Sequence, residues 1–142
     1  MPNKHIKTWI KHISQPRKEM NDFSVCPFAK KSKWQCYPIV DSKIDIKLCK
    51  KEVTIFVLLE EVSKFQLEKI ARQLNKQYPK FVFLPDHKTA NTKIKGIATG
   101  NGKLNLILAQ KRRKLESARK VLDKKGYYKN LTSDYKKKLF GY

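Results

Sequence analysis

Acidic residues are scarce in this chain. Twelve aspartates and glutamates stand against 33 lysines and arginines, which leaves a formal charge of +21 over 142 residues. Such a charge opposes folding by self-repulsion, so it favours a polyanionic partner that neutralises it in a complex. An AT-rich genome, which enriches lysine and asparagine, is the alternative source of the excess.

Cysteine and long apolar runs are also scarce. The three cysteines, Cys26, Cys36 and Cys49, are an odd number, which argues against a disulfide scaffold and favours a reducing cytosol. They form no C-x-x-C pair, which argues against a zinc ribbon. The longest apolar stretch, Val53 to Leu59, is far shorter than the roughly 20 residues of a membrane-spanning helix. With its polar start, the sequence predicts a soluble cytoplasmic protein, in the host cytoplasm if it is viral, with no membrane partner, metal or cofactor.

The N-terminal third predicts one helix and one strand. A helix over residues 4 to 15 ends at Pro16, and residues 34 to 40 have the composition of a strand. Residues 44 to 48 alternate apolar and charged side chains, which fits a short edge strand or an extended loop. The first helix has an apolar stripe at the spacing i, i+3, i+4, i+7, formed by Ile6, Trp9, Ile10 and Ile13.

The middle of the chain predicts a βαβ unit. Residues 53 to 59 are apolar at nearly every position, as in a central strand covered on both faces. Ser63 and Gln66 have the spacing of a capping box, which begins a helix that Tyr78-Pro79 ends. A strand over 81 to 84 follows, so we expect the two strands to be parallel and the crossover to be right-handed.

The C-terminal half predicts a hairpin and a basic helix. Asn101-Gly102 suits a tight turn between strands over 93 to 99 and 104 to 109. A phosphate-binding loop at 99 to 103 is rejected, because its spacing is wrong and a strand follows it. A helix over 111 to 125 has a narrow apolar stripe, formed by Leu115, Ala118, Val121 and Leu122.

These elements predict an α+β fold in a single compact domain over residues 1 to 142. We expect a mixed sheet of four to five strands with the βαβ unit, a C-terminal β-hairpin and three packed helices. The aromatic residues of the basic tail are expected to pack, and its lysines to be mobile.

The C-terminal third is the candidate nucleic-acid interface. Cationic side chains reach phosphates, and tyrosines stack on unpaired bases, so the combination favours single-stranded or structured nucleic acid without sequence-specific readout. A solvated helix face, with tyrosines that only anchor the terminus, is the structural alternative. The predicted binding residues are Lys111, Arg112, Arg113, Lys114, Arg119, Lys120, Lys124, Lys125, Tyr127, Tyr128, Lys136, Lys137 and Lys138, and Tyr135, Phe140 and Tyr142 are further stacking candidates.

A second candidate site centres on a thiol. Cys26 precedes Pro27 in a neighbourhood of lysines, which would lower the thiol pKa and make it more nucleophilic. A catalytic thiol also needs a base, and Asp86 and His87 directly follow a predicted parallel strand, where open sheets place their crevices. A buried structural cysteine is the alternative for Cys26.

The N-terminal two thirds resemble a known family. The helix at 6 to 13, followed by Phe23-Ser-Val-Cys-Pro-Phe-Ala-Lys30, is similar to a bacterial family of unknown function with a Cys-Pro-Phe-Ala motif after an opening helix. That family later has a His-Pro-Asp segment, and Leu84-Pro-Asp-His87 is similar in position but differs in order. Over residues 6 to 90 the resemblance implies an α+β fold and importance for Cys26, but no activity.

Three functions follow from the sequence. The first is a small basic accessory protein, of viral or phage origin or a subunit of a complex, that binds nucleic-acid phosphates without specificity. The second is a cysteine-dependent enzyme that uses Cys26 with Asp86 and His87. The third is a structural subunit of a viral or ribonucleoprotein assembly. RNA, DNA and an acidic protein stay open as partners, as does the oligomeric state.

Overall fold

The computed structural model describes residues 2–29 and 32–140, and of residues 2 and 138–140 it describes the backbone alone. Within these ranges the chain forms helices on both faces of one sheet, and a separate small hairpin. In chain order the elements are α1 (Pro2–Ile13), β1 (Trp34–Ile39), β2 (Val53–Leu58), α2 (Lys64–Gln77), β3 (Phe81–Asp86), β4 (Lys93–Ile94), β5 (Ile97–Ala98), β6 (Asn105–Lys111), α3 (Arg112–Lys124) and α4 (Ser133–Phe140).

The main sheet has four strands in the order β1-β2-β6-β3. β1 is parallel to β2, whereas β6 is antiparallel to both of its neighbours. β2 and β3 therefore run in the same direction, as the βαβ prediction requires, but β6 lies between them and the unit is split. The predicted α+β class, with a mixed sheet in one domain, is confirmed.

β2 is a central strand with both faces covered. Ile55 and Val57 belong to a core that α1 covers, and Phe56 and Leu58 belong to a second core that α2 covers. The predicted stripe of α1 is confirmed, because its isoleucines and Trp9 all pack into the first core. Alternate side chains of one apolar strand thus supply both cores.

The capping box of α2 is present as predicted. The Ser63 hydroxyl accepts a hydrogen bond from the Gln66 backbone N–H at 3.0 Å, and Gln66 Oε1 accepts one from the Ser63 N–H at 2.9 Å. At the other end, Tyr78 is the last residue to donate its N–H to a helical carbonyl, that of Leu74. Local signals therefore place this helix correctly at both ends.

The predicted hairpin over 93–109 is wrong in its turn and in its partner strand. β4 pairs with β5 through a two-residue turn at Lys95 and Gly96, whose φ angles of 52° and 82° suit a tight hairpin turn. Asn101 is buried instead and organises the following loop by hydrogen bonds. The strand after it, β6, is covered on both faces and enters the main sheet between β2 and β3.

Two further segments differ from the sequence prediction. Residues 46–48 form a single 3₁₀ turn rather than an edge strand, and the apolar residues from 44 to 48 pack against the second core. The tail over 133–140, for which no helix was predicted, forms the short helix α4, and the expected mobility of its lysines stays a prediction. Alternating apolar residues indicate only that these side chains pack against a core. A turn of helix can place them there as well as a strand can.

Candidate nucleic-acid interface

One edge of the main sheet collects positive charge from four strands and a helix. We call it the basic edge: the place where β1, β2 and β3 begin and where β6 ends and α3 begins. Phe81 pairs with Lys111, and Trp34 pairs with Val53, so the residues that flank these strand ends form a row. The cations at this edge are Lys33, Lys51, Lys80, Lys111, Arg112, Arg113 and Lys114.

The row is fixed by backbone hydrogen bonds across the strand ends. The Val53 N–H donates to the Lys33 carbonyl at 3.0 Å, and the Arg112 N–H donates to the Lys80 carbonyl at 2.9 Å. Neighbouring strands lie about 4.8 Å apart, so the four strands spread these cations over about 15 Å. Glu52 is an exposed acidic residue within the row. The edge is strongly cationic even with that carboxylate included.

Arg112 orients the start of α3 rather than facing solvent freely. Its Nε donates to the Pro79 carbonyl at 2.7 Å, and its Nη1 lies 3.8 Å from the Glu116 carboxylate. These contacts tie α3 to the loop that enters β3. The next two residues, Arg113 and Lys114, are exposed, so the helix begins with its free cations at the basic edge.

The opposite edge of the sheet mixes charges of both signs. Asp41 and Glu60 follow β1 and β2 there, and the Glu60 carboxylate accepts a hydrogen bond from the Asp41 N–H. Lys88 forms an ion pair with Glu61 at 2.7 Å, and the hydrogen bond that Lys88 donates, together with its charge, lowers the Glu61 carboxyl pKa. The two edges therefore differ in electrostatic character, and a polyanion is favoured at one of them.

The other predicted cations are placed unevenly. Lys120, Lys124 and Lys125 are exposed on or just after α3, Lys137 is exposed on α4 and Lys136 is half-buried. The side chain of Lys138 lies outside the described part of the chain. Exposed lysines also occur along α1, so part of the positive charge lies outside the C-terminal third.

Arg119 is not available as a phosphate contact, which corrects the prediction. Only 7% of its surface is exposed, whereas Val121, which was predicted to be buried, is 52% exposed. Leu115, Ala118, Arg119 and Leu122 have the spacing i, i+3, i+4, i+7, so Arg119 lies on the inner face of α3. A stripe defined by apolar residue types excludes Arg119, because its side chain is charged.

Tyr127 and Tyr128 are buried, so the prediction that they stack on bases is wrong. Tyr127 is 3% exposed and donates its hydroxyl to the Val25 carbonyl at 2.5 Å, and burial raises its pKa far above the ordinary value. Its ring makes an edge contact with Phe23 at 5.4 Å and with Tyr128 at 5.1 Å. Tyr135 is half-buried with a raised pKa from the same cause. The side chain of Phe140, and Tyr142, lie outside the described residues.

The Cys26 thiol does not have the lowered pKa that the sequence analysis expected. Burial raises its pKa, and the N–H groups of Phe28 and Ala29 only partly oppose that effect. The Cys26 side chain faces an apolar crevice that includes Trp9 and Ile13. Lys30 and Lys31 of the motif lie outside the described residues. The geometry favours the structural reading of Cys26.

Asp86 and His87 contact different partners on different parts of the molecule. His87 is 7% exposed, and its Nε2–H donates to the Val62 carbonyl at 2.7 Å while its Nδ1 accepts from the Thr89 N–H at 3.1 Å. Asp86 accepts from the Asn101 side-chain amide at 2.6 Å, and burial raises its carboxyl pKa. Both ring nitrogens of His87 are engaged, so the predicted role of His87 as a base for Cys26 has no geometric support.

Iodoacetamide is expected to label all three cysteines slowly at neutral pH. Burial raises the thiol pKa of Cys26, Cys36 and Cys49, and only the thiolate reacts with iodoacetamide. The labelling rate of each cysteine should therefore still be increasing with pH above the ordinary thiol pKa, where the rate of a free cysteine levels off. Mass spectrometry of the labelled peptides over time, with a free cysteine peptide as the reference, measures the rates. Fast labelling confined to Cys26 at neutral pH would contradict this and would support the thiol enzyme.

The strand-start lysines of the basic edge are not among the binding residues predicted from sequence. Lys33, Lys51 and Lys80 are far apart in sequence from α3, and each directly precedes or nearly precedes a predicted strand. The available signal was that position, since the starts of parallel strands share one edge of a sheet. This signal does not place Lys111 at the basic edge, because Lys111 is at the end of β6, and the pairing of β6 was predicted wrongly.

Other sites and known proteins give no further assignment. Within residues 2–29 and 32–140 no three histidine, cysteine or acidic side chains are grouped so as to hold a metal ion. None of the helices described is long and apolar enough to cross a membrane. Comparisons with known proteins found no matching family model, no similar curated protein and no similar solved structure. The resemblance to the Cys-Pro-Phe-Ala family stays a prediction.

Proposed function

We propose that this protein is a nucleic-acid-associated accessory protein that binds phosphates, without sequence preference, through its basic edge. The observation that supports the proposal most directly is the convergence of Lys33, Lys51, Lys80, Arg113 and Lys114 on one edge, where all five are exposed. They come from three strand starts and one helix start, so folding brings together charges that are separate in sequence.

The dimensions of the basic edge suit a nucleic-acid backbone. A row about 15 Å wide corresponds to about four phosphates of a B-form strand, which are spaced by about 3.4 Å along the axis. Long lysine side chains follow small displacements of phosphate groups, so a rigid match is not needed. The opposite edge, with its acidic residues, would be disfavoured, and the protein would bind in one orientation.

The burial of Tyr127 and Tyr128 shapes the proposed mechanism. Stacking on unpaired bases was the sequence-based reason to prefer single-stranded nucleic acid, and those two rings lie in the core. Phosphate neutralisation and counterion release remain as the main contributions to affinity. We therefore propose a backbone binder, in the cytosol, for which RNA and DNA are both candidate partners.

Nucleic acid that co-purifies with the protein tests the proposal directly. We expect the ratio of absorbance at 260 nm to that at 280 nm to be high after purification at low salt, and to fall after a high-salt wash or after nuclease treatment. Gel filtration after the nuclease step is the control for a protein partner, because a complex that persists would contain protein. A low ratio from the start, together with a persisting complex, would contradict nucleic-acid binding and favour a structural subunit.

A further inference from the structure

A cleft of about 380 Å³ lies apart from the basic edge. One wall is formed by residues 92 to 95, which include β4 and the first turn residue of the hairpin, and the other is the segment from Lys129 to Tyr135 that leads into α4. Its volume falls in the lower part of the range of small-molecule sites. None of the residues that line it belongs to the basic edge, so the cleft is a separate feature of the surface.

Positive charge dominates the mouth of the cleft. Lys93, Lys95 and Lys129 line it and are exposed, and Asp134 is the one acidic residue among its lining residues. Lys95 has a φ of 52°, a left-handed conformation that is unfavourable for a residue with a side chain. The adjacent pairing of Ile94 with Ile97 imposes that conformation and holds the lysine at the tip of the hairpin.

The start of α4 adds to the positive potential. Thr132 caps the helix, because its hydroxyl accepts from the Tyr135 N–H at 3.2 Å and its carbonyl accepts from the Lys136 N–H at 3.0 Å. The helix N-terminus therefore lies in the wall of the cleft, where its dipole favours an anion, although the Asp134 carboxylate in the first turn already offsets part of that potential. Lysines from two different walls and a helix N-terminus thus face the same space.

The inner part of the cleft is apolar and held rigidly. Ile94 and Leu131 close the floor of the cleft and are only 4% and 8% exposed, while the half-buried Tyr135 is the aromatic residue of its lining. Asn130, which also lines the cleft, donates its side-chain amide to the carbonyls of Met20 and Tyr127. A preformed wall of this kind suits the flat body of an organic ligand, because little order has to be imposed on binding.

We propose that this cleft binds a nucleoside phosphate. The phosphate would lie among the three lysines, and the base would pack against the half-buried Tyr135 at the closed floor of the cleft. The Asp134 carboxylate would accept a hydrogen bond from a sugar hydroxyl or a base amino group, which makes bare inorganic phosphate a poorer ligand. Two sources share this chemistry: a free mononucleotide and the 5′-phosphorylated terminal nucleotide of a strand.

Calorimetric titration with nucleoside monophosphates tests the proposal, with adenosine and inorganic phosphate as weaker comparison ligands. The triple variant Lys93→Gln, Lys95→Gln, Lys129→Gln should lose at least tenfold in affinity, since it removes the phosphate contacts. The single variant Lys129→Gln leaves the hairpin unchanged and should lose severalfold. The matched control replaces exposed lysines of equal number outside the cleft and should bind normally: Lys43→Gln, Lys64→Gln and Lys69→Gln.

A second titration separates the two sources. If mononucleotides bind weakly, a short oligonucleotide with a 5′-phosphate should lose more affinity in the triple variant than the same oligonucleotide with a 5′-hydroxyl, and this result supports a strand terminus. The proposal would be overturned if the cleft variant and the control lost affinity equally. It would also be overturned if neither the nucleoside monophosphate bound more tightly than adenosine nor the 5′-phosphorylated oligonucleotide more tightly than its 5′-hydroxyl form. Substitutions in the basic edge should leave mononucleotide binding to the cleft unchanged. If the basic edge does not bind nucleic acid, the titrations of the cleft still give their own answer, so the two proposals can fail independently.

Discussion

Replacing four cations of the basic edge by glutamine is expected to weaken nucleic-acid binding by about a hundredfold or more near 100 mM salt. Each lost phosphate contact also removes about one unit from the slope of log affinity against log salt concentration. With about four contacts along the row, the unmodified protein should lose roughly a hundredfold between 50 and 200 mM salt. Fluorescence anisotropy over a salt series measures both quantities, and the variant combines Lys51→Gln, Lys80→Gln, Arg113→Gln and Lys114→Gln.

A control of equal charge distinguishes a site from general attraction. Four exposed lysines elsewhere on the surface can be replaced together, which lowers the net charge by the same amount: Lys43→Gln, Lys64→Gln, Lys69→Gln and Lys103→Gln. We expect this variant to retain most of the affinity and of the salt slope. Equal losses in both variants would show that the overall charge, and not the basic edge, binds nucleic acid. Affinity that stays flat across the salt series would contradict phosphate binding altogether.

The helices and central strand follow directly from local sequence signals. The stripe from Ile6 to Ile13, the apolar run of β2 and the capping box at Ser63 each depend on residues within one turn or one strand. Neighbours along the chain decide these features, so the sequence is sufficient. Strand pairing is different, because it depends on which distant segment buries the same apolar surface.

The hairpin shows how the pairing of strands escapes a local analysis. Asn101-Gly102 and Lys95-Gly96 both offer glycine at a positive φ, and turn preferences favour Asn101-Gly102, which is not the turn of the hairpin that forms. The deciding factor is β6, which is buried from Asn105 to Ile107 and lies between two strands of the sheet. Its near-continuous apolar composition, like that of β2, was the signal of a central strand.

The candidate site was predictable in its charge but not in its location. Lys111 to Lys114 were identified from their density in sequence, whereas Lys33, Lys51 and Lys80 join them only through the strand order. Arg119, Tyr127 and Tyr128 have the residue types of a binding surface but are buried. Residue type alone therefore overestimates how much of a basic aromatic segment faces solvent.

Asn101→Ala is expected to destabilise the fold by about 3 kcal/mol, because several buried hydrogen bonds are lost together. Asn101 is 8% exposed, and its amide donates to the Asp86 carboxylate at 2.6 Å and to the Leu104 carbonyl at 2.8 Å. Its side-chain oxygen accepts from the Leu104 N–H at 2.6 Å and from the Lys103 N–H at 3.1 Å. The loop between β5 and β6 therefore depends on this one side chain. Urea denaturation measures the change.

The loss of stability should also depend on pH. Burial already raises the Asp86 pKa above its ordinary value of 3.8, and the variant removes a donor that opposes this effect. A raised carboxyl pKa means that the native state holds a proton that the unfolded state releases, so stability falls as the pH rises from the ordinary value through the folded one. The deficit of the variant, taken as a difference from the unmodified protein, should be larger at about pH 7 than at about pH 4.

Asn91→Ala provides the matched control for Asn101, because Asn91 is exposed in the same half of the chain. It should change stability by less than about 0.5 kcal/mol, as surface substitutions usually do. A similar small loss for Asn101→Ala would show that the buried network contributes little. A large loss that is the same at both pH values would assign the effect to the loop backbone, since the Asp86 carboxyl then titrates alike in both proteins. The joint dependence on residue and pH is what distinguishes a hydrogen-bonded buried carboxylate from ordinary side-chain packing.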